Sequence, residues 1–294
     1  MKNENVTNIK SVEYYDDRFY KISYPLELHE KFYKHIPERL INKTETDINI
    51  YLPSVTTILN KSENKSYLAK WRGDVGNERA DYIISQALSK GSNIHTAITK
   101  LVSGYSIIYQ NPKLQISDNW IGKIFPVYSQ EEMIQVARFK YLYDLLQPDI
   151  LDYDYLIHDL KNGYAGTLDM TVKLNGGEYF INSAKTKTVI NKGVYVWDFK
   201  TGNSYSQDSA FMQMSAYAKS YYKKVTGIMG IHLNDNVKSG IKGVKIYQAD
   251  SKQINKYFKD FLDYKKIFDK DENLKPVYYD IPEIINLNLN ENEN

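Results

Sequence analysis

The stretch from residue 154 to residue 200 sets the tightest limit on what this chain can fold into. It reads as short segments, DYLIH, AGTLDMTVKL, EYFINSA and GVYVWDFK, rich in β-branched and aromatic residues and separated by turn signals such as NGG. Segments of this kind are strands, and strands need hydrogen-bonding partners, so this part of the chain has to be a sheet. The next run, SQDSAFMQMSAYAKSYYKKV, carries Phe211, Met214, Ala218 and Tyr221 on one helical face. Two further strand-like runs, GIMGIHL and GVKIYQA, lead into a closing helix in which Ile254, Tyr257, Phe258, Phe261 and Phe268 recur at helical spacing.

Upstream of the strands the texture is helical. The run WRGDVGNERADYIISQALSKGSNIHTAITKLVSG places Ile83, Ile84, Ala87 and Leu88, then Ile94, Ile98 and Leu101, at helical spacing. It predicts two helices joined near Gly91, the second ending at Gly104. QEEMIQVARFKYLYDLL predicts another helix over 130–146, stopped by Pro148. The first fifty residues read as an irregular or β-rich appendage of the same domain, with FYKIS as a short strand. Helices, then antiparallel-looking strands interrupted by one helix and closed by another, predict an α/β fold: a mixed β-sheet flanked by helices. The core is expected over 51–275, followed by an Asn-rich, acidic and flexible tail over 276–294.

Composition narrows the chemistry. The 294 residues suit one large domain or two small ones. With no cysteine, disulfides, thiolate zinc sites, cysteine-ligated iron–sulfur clusters and cysteine nucleophiles are all excluded, leaving oxygen and nitrogen ligands. A formal net charge of +2 announces no polyanionic partner, so any nucleic-acid surface must be local. No apolar run is long enough to span a bilayer, and the polar start MKNENVTNIK has no signal-peptide pattern, so a cytoplasmic protein without a membrane partner is expected. The 27 tyrosines read as half-buried positions where a ring packs and a hydroxyl stays wet, and none is assigned a base-stacking role.

Two short phrases carry the candidate chemistry. In an extended strand alternate side chains share a face, so Asp198 and Lys200 of DFK point the same way, about 7 Å apart, while Trp197 and Phe199 face the core. Asp169 of GTLD ends a strand led by Gly166, where the backbone can pass close to something else. If the two strands are neighbours, both carboxylates reach one cation. Crowded carboxylates repel unless a cation neutralises them, and hard oxygen donors favour magnesium or manganese. Taken alone, DFK also reads as a strand-end ion pair and GTLD as a turn. On the preceding helix, GSNIH puts Gly91 one turn before His95, which shares a face with Ile98 and Thr99. On the following helix Gln213 and Tyr217 lie four apart.

Taken in order, GxxxH (Gly91 to His95), GTxD (Gly166 to Asp169), DxK (Asp198 to Lys200) and QxxxY (Gln213 to Tyr217) resemble the PD-(D/E)XK nuclease superfamily. Within it the likeness is to the RecB-type exonucleases of bacteria and their phages, and PSVTTIL resembles the opening of phage-encoded members. The resemblance spans residues 50 to 270. It implies a restriction-endonuclease-like core and a Mg2+-dependent deoxyribonuclease, with Mn2+ able to substitute. An exonuclease of recombination, repair or phage DNA processing is the leading reading. A restriction or structure-specific endonuclease and a catalytically silent DNA-binding recombination protein are the alternatives.

The implied partners are DNA and a single-strand annealing or other recombination protein. By the same resemblance Asp169 and Asp198 are metal-binding acids, His95 an added ligand and Lys200 the catalytic lysine, with Gln213 and Tyr217 supporting the metal site or the nucleic acid. Many relatives carry a glutamate on the strand before the glycine turn, and Asp154 is the nearest match. No iron–sulfur cluster is expected.

The interval from Asp169 to Asp198 is longer than a simple hairpin. The excess, SAKTKTVINKG, reads as a solvated hairpin tip or as a loop whose Lys185, Lys187 and Lys192 contact phosphates. Arg72, Glu78 and Arg79 read as helix-surface charge, with phosphate contact for the arginines and a further acid for Glu78 as the other possibilities. Ser54, Thr56 and Thr57 read as helix caps or as phosphate contacts.

Overall fold

The computed structural model describes residues 8–14, 17–62, 66–110, 122–181, 187–234 and 242–271. The chain opens with β1 (Asn8–Tyr14), β2 (Asp17–Pro25), β3 (Ile41–Lys43) and β4 (Asp47–Pro53), an antiparallel sheet in the order β1-β2-β4-β3. Ser54 then caps α1 (Val55–Ser62), its Oγ accepting the Thr57 N–H at 2.9 Å. Next come α2 (Ser66–Val75) and α3 (Asn77–Val102), separated by Gly76 in a left-handed conformation at φ 85. The short strands β5 (Ser106–Tyr109) and β6 (Ile124–Val127) pair in parallel. Helix α4 (Gln130–Leu146) starts at a reciprocal Ser129–Glu132 capping box and stops at Gln147, left-handed at φ 45, just before Pro148.

The second half carries the main sheet. The elements are β7 (Asp149–Asp159), β8 (Tyr164–Leu174), β9 (Gly177–Tyr179), β10 (Thr188–Ile190), β11 (Gly193–Lys200), α5 (Gln207–Ser220), β12 (Gly227–His232), β13 (Lys245–Asp250) and α6 (Ser251–Asp269). Five of the strands form one sheet in the order β13-β12-β11-β8-β7, while β9 and β10 form a separate small hairpin. The β7/β8, β8/β11 and β12/β13 pairs are antiparallel, but β11 and β12 run parallel. The sheet is therefore mixed, as expected, and β11/β12 is its parallel pair among strands that look antiparallel in the sequence. A helix inserted between two adjacent strands returns the chain to the end where it started, which makes them parallel.

Side-chain alternation along these strands feeds two cores. Against one face of the sheet, Val196 and Ile228 pack with Phe211 and Met214 of α5, Phe261 and Phe268 of α6, Ile58 of α1, and Phe19, Ile22 and Leu52 of the first sheet. Against the other, Met170, Val172, Trp197, Phe199 and Ile231 pack with Ile94 and Ile98 of α3 and Phe139 and Leu142 of α4. Each such side chain, fully buried, contributes about 1.5–3 kcal/mol of transfer free energy. Residues 17–53 are therefore part of the central core. They also touch the main sheet through a parallel bridge from Ser54 to Ala165 and a Tyr20–Thr167 hydroxyl contact of 2.9 Å.

The helical expectation needs a correction at α3, which runs unbroken through Gly91, with Ile83, Ala87 and Leu88 exposed on its first half. Of EYFINSA only Glu178 and Tyr179 belong to a strand, and residues 182–186 and the tail over 276–294 lie outside the described residues. Among the described residues no helix is long and apolar enough to cross a membrane.

A shared core predicts shared cooperativity. Leu52→Ala, at a position with no exposed surface, is expected to cost about 2–5 kcal/mol. Urea unfolding followed by tryptophan fluorescence and by circular dichroism should remain one coincident transition, shifted to lower urea.

Candidate active site

The pairing of β8 with β11 runs from Gly193↔Leu174 to Trp197↔Met170 and stops there. The next two residues in register are Asp198 and Asp169, side by side on one face. At this point the ladder changes character, because the Phe199 N–H donates to the Asp169 side chain, at 2.8 Å from Oδ2. Asp198 is buried, and on its other side it pairs in parallel with Gly230 of β12. Asp169 thus lies in the middle of β8, not at a strand end as its sequence suggested.

Two cationic groups reach this pair. Lys200, two residues beyond Asp198 and on the same face, brings Nζ to 2.9 Å from Asp198 Oδ2. The same ammonium donates to Gln213 Oε1 at 3.1 Å, and Gln213 Nε2 donates to the Tyr217 hydroxyl at 3.2 Å. The Tyr217 ring lies against Gly166, where an added Cβ would stand 2.6 Å from ring carbon Cε1. The close approach inferred from that glycine is therefore the approach of an α5 side chain. From α3, His95 sets Nδ1 3.4 Å from Asp169 Oδ1 and Nε2 3.1 Å from the Phe199 carbonyl oxygen. Gly91, one turn earlier, has Thr201 Oγ1 3.1 Å from where its Cβ would be, so it lets α3 sit close to the chain just after Lys200.

The charges set one another's protonation. Burial works against the His95 imidazolium, but the charge and hydrogen bond of Asp169, with Asp198 behind it, outweigh burial and raise His95 to about 9. Burial pushes the Asp169 carboxyl up, and His95, Lys200 and the Phe199 N–H more than reverse that, holding it below its ordinary value. Asp198 goes the other way. Its burial and the Asp169 charge win over Lys200, and its carboxyl is held above the ordinary range. Lys200 is disfavoured by burial yet held above the usual lysine range by Asp198. Among the described residues no three His, Asp or Glu side chains form a ready metal-ligating group. The two acids are neutralised individually, one by His95 and one by Lys200.

The remaining sequence candidates divide into near and far. Asp154 is near. Its neighbours pair as Tyr153↔Met170 and Tyr155↔Leu168, which sets it across β8 from Asp169. It takes a left-handed conformation at φ 46 and accepts from Thr99 Oγ1 at 2.9 Å, one turn beyond His95 on α3. Ser54 and Thr57 are buried and their hydroxyls are used internally. Ser54 Oγ contacts both Thr56 and Thr57 at 2.9 Å, and Thr57 Oγ1 accepts the Arg18 N–H at 3.0 Å. Ser54 and Thr57 are thus caps that face the core, while Thr56 is partly exposed. Arg72 pairs with Asp81 at 2.6 Å, and Lys187 pairs with Glu178 at 2.8 Å within the β9–β10 hairpin. Glu78, Arg79 and Lys192 are exposed, and Lys185 lies outside the described residues. The sequence reading missed Thr201 and the Phe199 N–H. Thr201 was signalled only by the glycine opposite it, and a backbone donor leaves no signal in a sequence.

Two outcomes are expected. Gly166→Ala should cost about 1–3 kcal/mol in urea denaturation, because the new methyl displaces the Tyr217 ring. In chelator, the melting temperature should fall with pH in a defined window. A protonated His95 stabilises the fold fully below its ordinary value of 6.5, and that contribution is lost as pH rises through about 9. His95→Gln should flatten the slope between those limits in a melting series. No protein-family model matches the sequence, and no curated protein matches it.

Proposed function

We propose that this chain is a Mg2+-dependent deoxyribonuclease with a PD-(D/E)XK core, and that it acts as an exonuclease in DNA recombination, repair or phage DNA processing. One observation carries the reading. Four separate elements, α3, β8, β11 and α5, bring a histidine, two acids, a lysine and a glutamine–tyrosine pair into one continuous chain of contacts. A structural ion pair needs only two of these groups.

The donor set fits a hard divalent cation. Asp169 and Asp198 stand next to one another as hard oxygen donors, and burial together with the Asp169 charge holds the Asp198 carboxyl above its ordinary range. Asp169 and Asp198 would hold the metal, with His95 as a nitrogen donor once the cation has displaced its proton, and Asp154 at the margin. When bound, the cation supplies Lewis-acid polarisation of the phosphodiester and a more acidic water. Lys200, kept protonated by Asp198, acts as a donor to the charge that develops on the phosphate. Gln213 orients that ammonium, and Tyr217, wedged against Gly166, orients Gln213.

The test is incubation with end-labelled linear duplex, single-stranded and closed circular DNA in Mg2+, Mn2+ or chelator, beside Lys200→Ala. Metal-dependent loss of the linear substrates is expected, reduced about 10²–10³-fold in the variant. Cutting of the closed circle would make the enzyme an endonuclease. Full activity in a Lys200→Ala, Asp198→Ala double variant, or no cleavage with any metal, would overturn the reading.

A further inference from the structure

Tyr205, in the loop between Lys200 and α5, reaches the same site from a direction that none of the motifs includes. Its ring is seated on Gly230, where an added Cβ would stand 1.7 Å from the hydroxyl oxygen and 2.7 Å from Cζ. Only glycine leaves room for it. Gly230 pairs with Asp198 on one side and with Tyr247 on the other, and cross-strand partners share a face. Tyr205 therefore fills the side-chain position between the Asp198 carboxylate and the Tyr247 ring. It stacks on Tyr247 with centroids 4.1 Å apart and planes 10° from parallel.

Ring packing accounts for the stack but not for the hydroxyl. Tyr205 Oη is buried without a hydrogen-bond partner among the described residues. Asp198 Oδ2 is buried too, with the Lys200 ammonium 2.9 Å away, and a carboxylate oxygen has a further lone pair to offer. The buried Tyr205 hydroxyl needs a partner, and buried groups of this kind are met by protein or by ordered water. The two oxygens match as a pair. The Tyr205 phenol offers a donor. The carboxylate offers an acceptor.

We propose that the Tyr205 hydroxyl and Asp198 Oδ2 hold one ordered water between them, and that Tyr205 thereby fixes the orientation of the Asp198 carboxylate as a positioning residue. The bridge stands on the geometry alone, whereas its consequence for cleavage rests on the nuclease reading above.

The test is Tyr205→Phe, which keeps the ring, the stack and the fit over Gly230 and removes only the hydroxyl. An idle buried hydroxyl costs stability, so its removal would leave the melting temperature unchanged or higher. A bridging one contributes a hydrogen bond, so its removal should lower the melting temperature by about 2 °C. In an Asp198→Ala background, where the acceptor is gone, that penalty should vanish. An unchanged or raised midpoint, or an equal penalty in both backgrounds, overturns the bridge. In the cleavage assay Tyr205→Phe should lower kcat about tenfold with KM for DNA unchanged; an unchanged kcat overturns the positioning role. A wild-type protein that neither binds metal nor cuts DNA would end the nuclease reading, while the melting series would still decide the bridge.

Discussion

The site depends on the transfer of the β8–β11 ladder from backbone to side chain at Asp169. Strand pairing cannot end in the interior of a protein and leave an N–H without a partner. The Phe199 N–H finds its partner in the Asp169 carboxylate, and this bond fixes the first acid where the two strands stop pairing. An ionised carboxylate used in this way calls for positive charge nearby, and His95 of α3 supplies it where β8 and β11 part. The part of β8 that β11 no longer covers is met by Ser54 and Tyr20, so the same interruption gives the first sheet its docking place.

Stability and chemistry are divided between different parts of the molecule. The two apolar layers on either face of the main sheet hold the fold together, while the four charged groups between them contribute little net energy. Two acids and two cations taken out of water offset one another only where the geometry is good, and such clusters are rarely the source of a fold's stability. Here the match is uneven. Asp169 is well supplied with donors, whereas Asp198 is not, and the raised Asp198 carboxyl beside the lowered Asp169 carboxyl records that asymmetry.

Much of the site was legible in the sequence because strands and helices have fixed periods. The alternation in VWDFK was enough to put Asp198 and Lys200 on one face and Trp197 and Phe199 on the other, and the four-residue interval was enough to bring Gln213 and Tyr217 together. Gly166 correctly signalled a close approach without revealing that Tyr217 makes it. Where the reading failed, a residue had been interpreted locally although a tertiary contact decided it. Gly91 looked like a break between helices, yet its missing side chain makes room for Thr201 and the helix continues through it. Gly230 looked like part of an ordinary strand, and nothing in GIMGIHL indicates that a tyrosine from another loop lies over it. The parallel β11/β12 pair was readable from the strand–helix–strand order and was obscured by the antiparallel texture around it.

The placement of α6 ties the two ends of the described chain together. Phe261 and Phe268 lie in the same core as Phe19, Ile22 and Leu52, and Arg39 donates to the Asp269 carbonyl oxygen at 3.1 Å. Contacts of such high sequence separation cost more loop-closure entropy than the local β2–β4 and β7–β8 pairings, and topologies rich in them fold slowly. Because α6 packs in the same core as Phe211 and Met214 of α5, its seat on the first sheet also backs the helix whose Gln213 reaches Lys200.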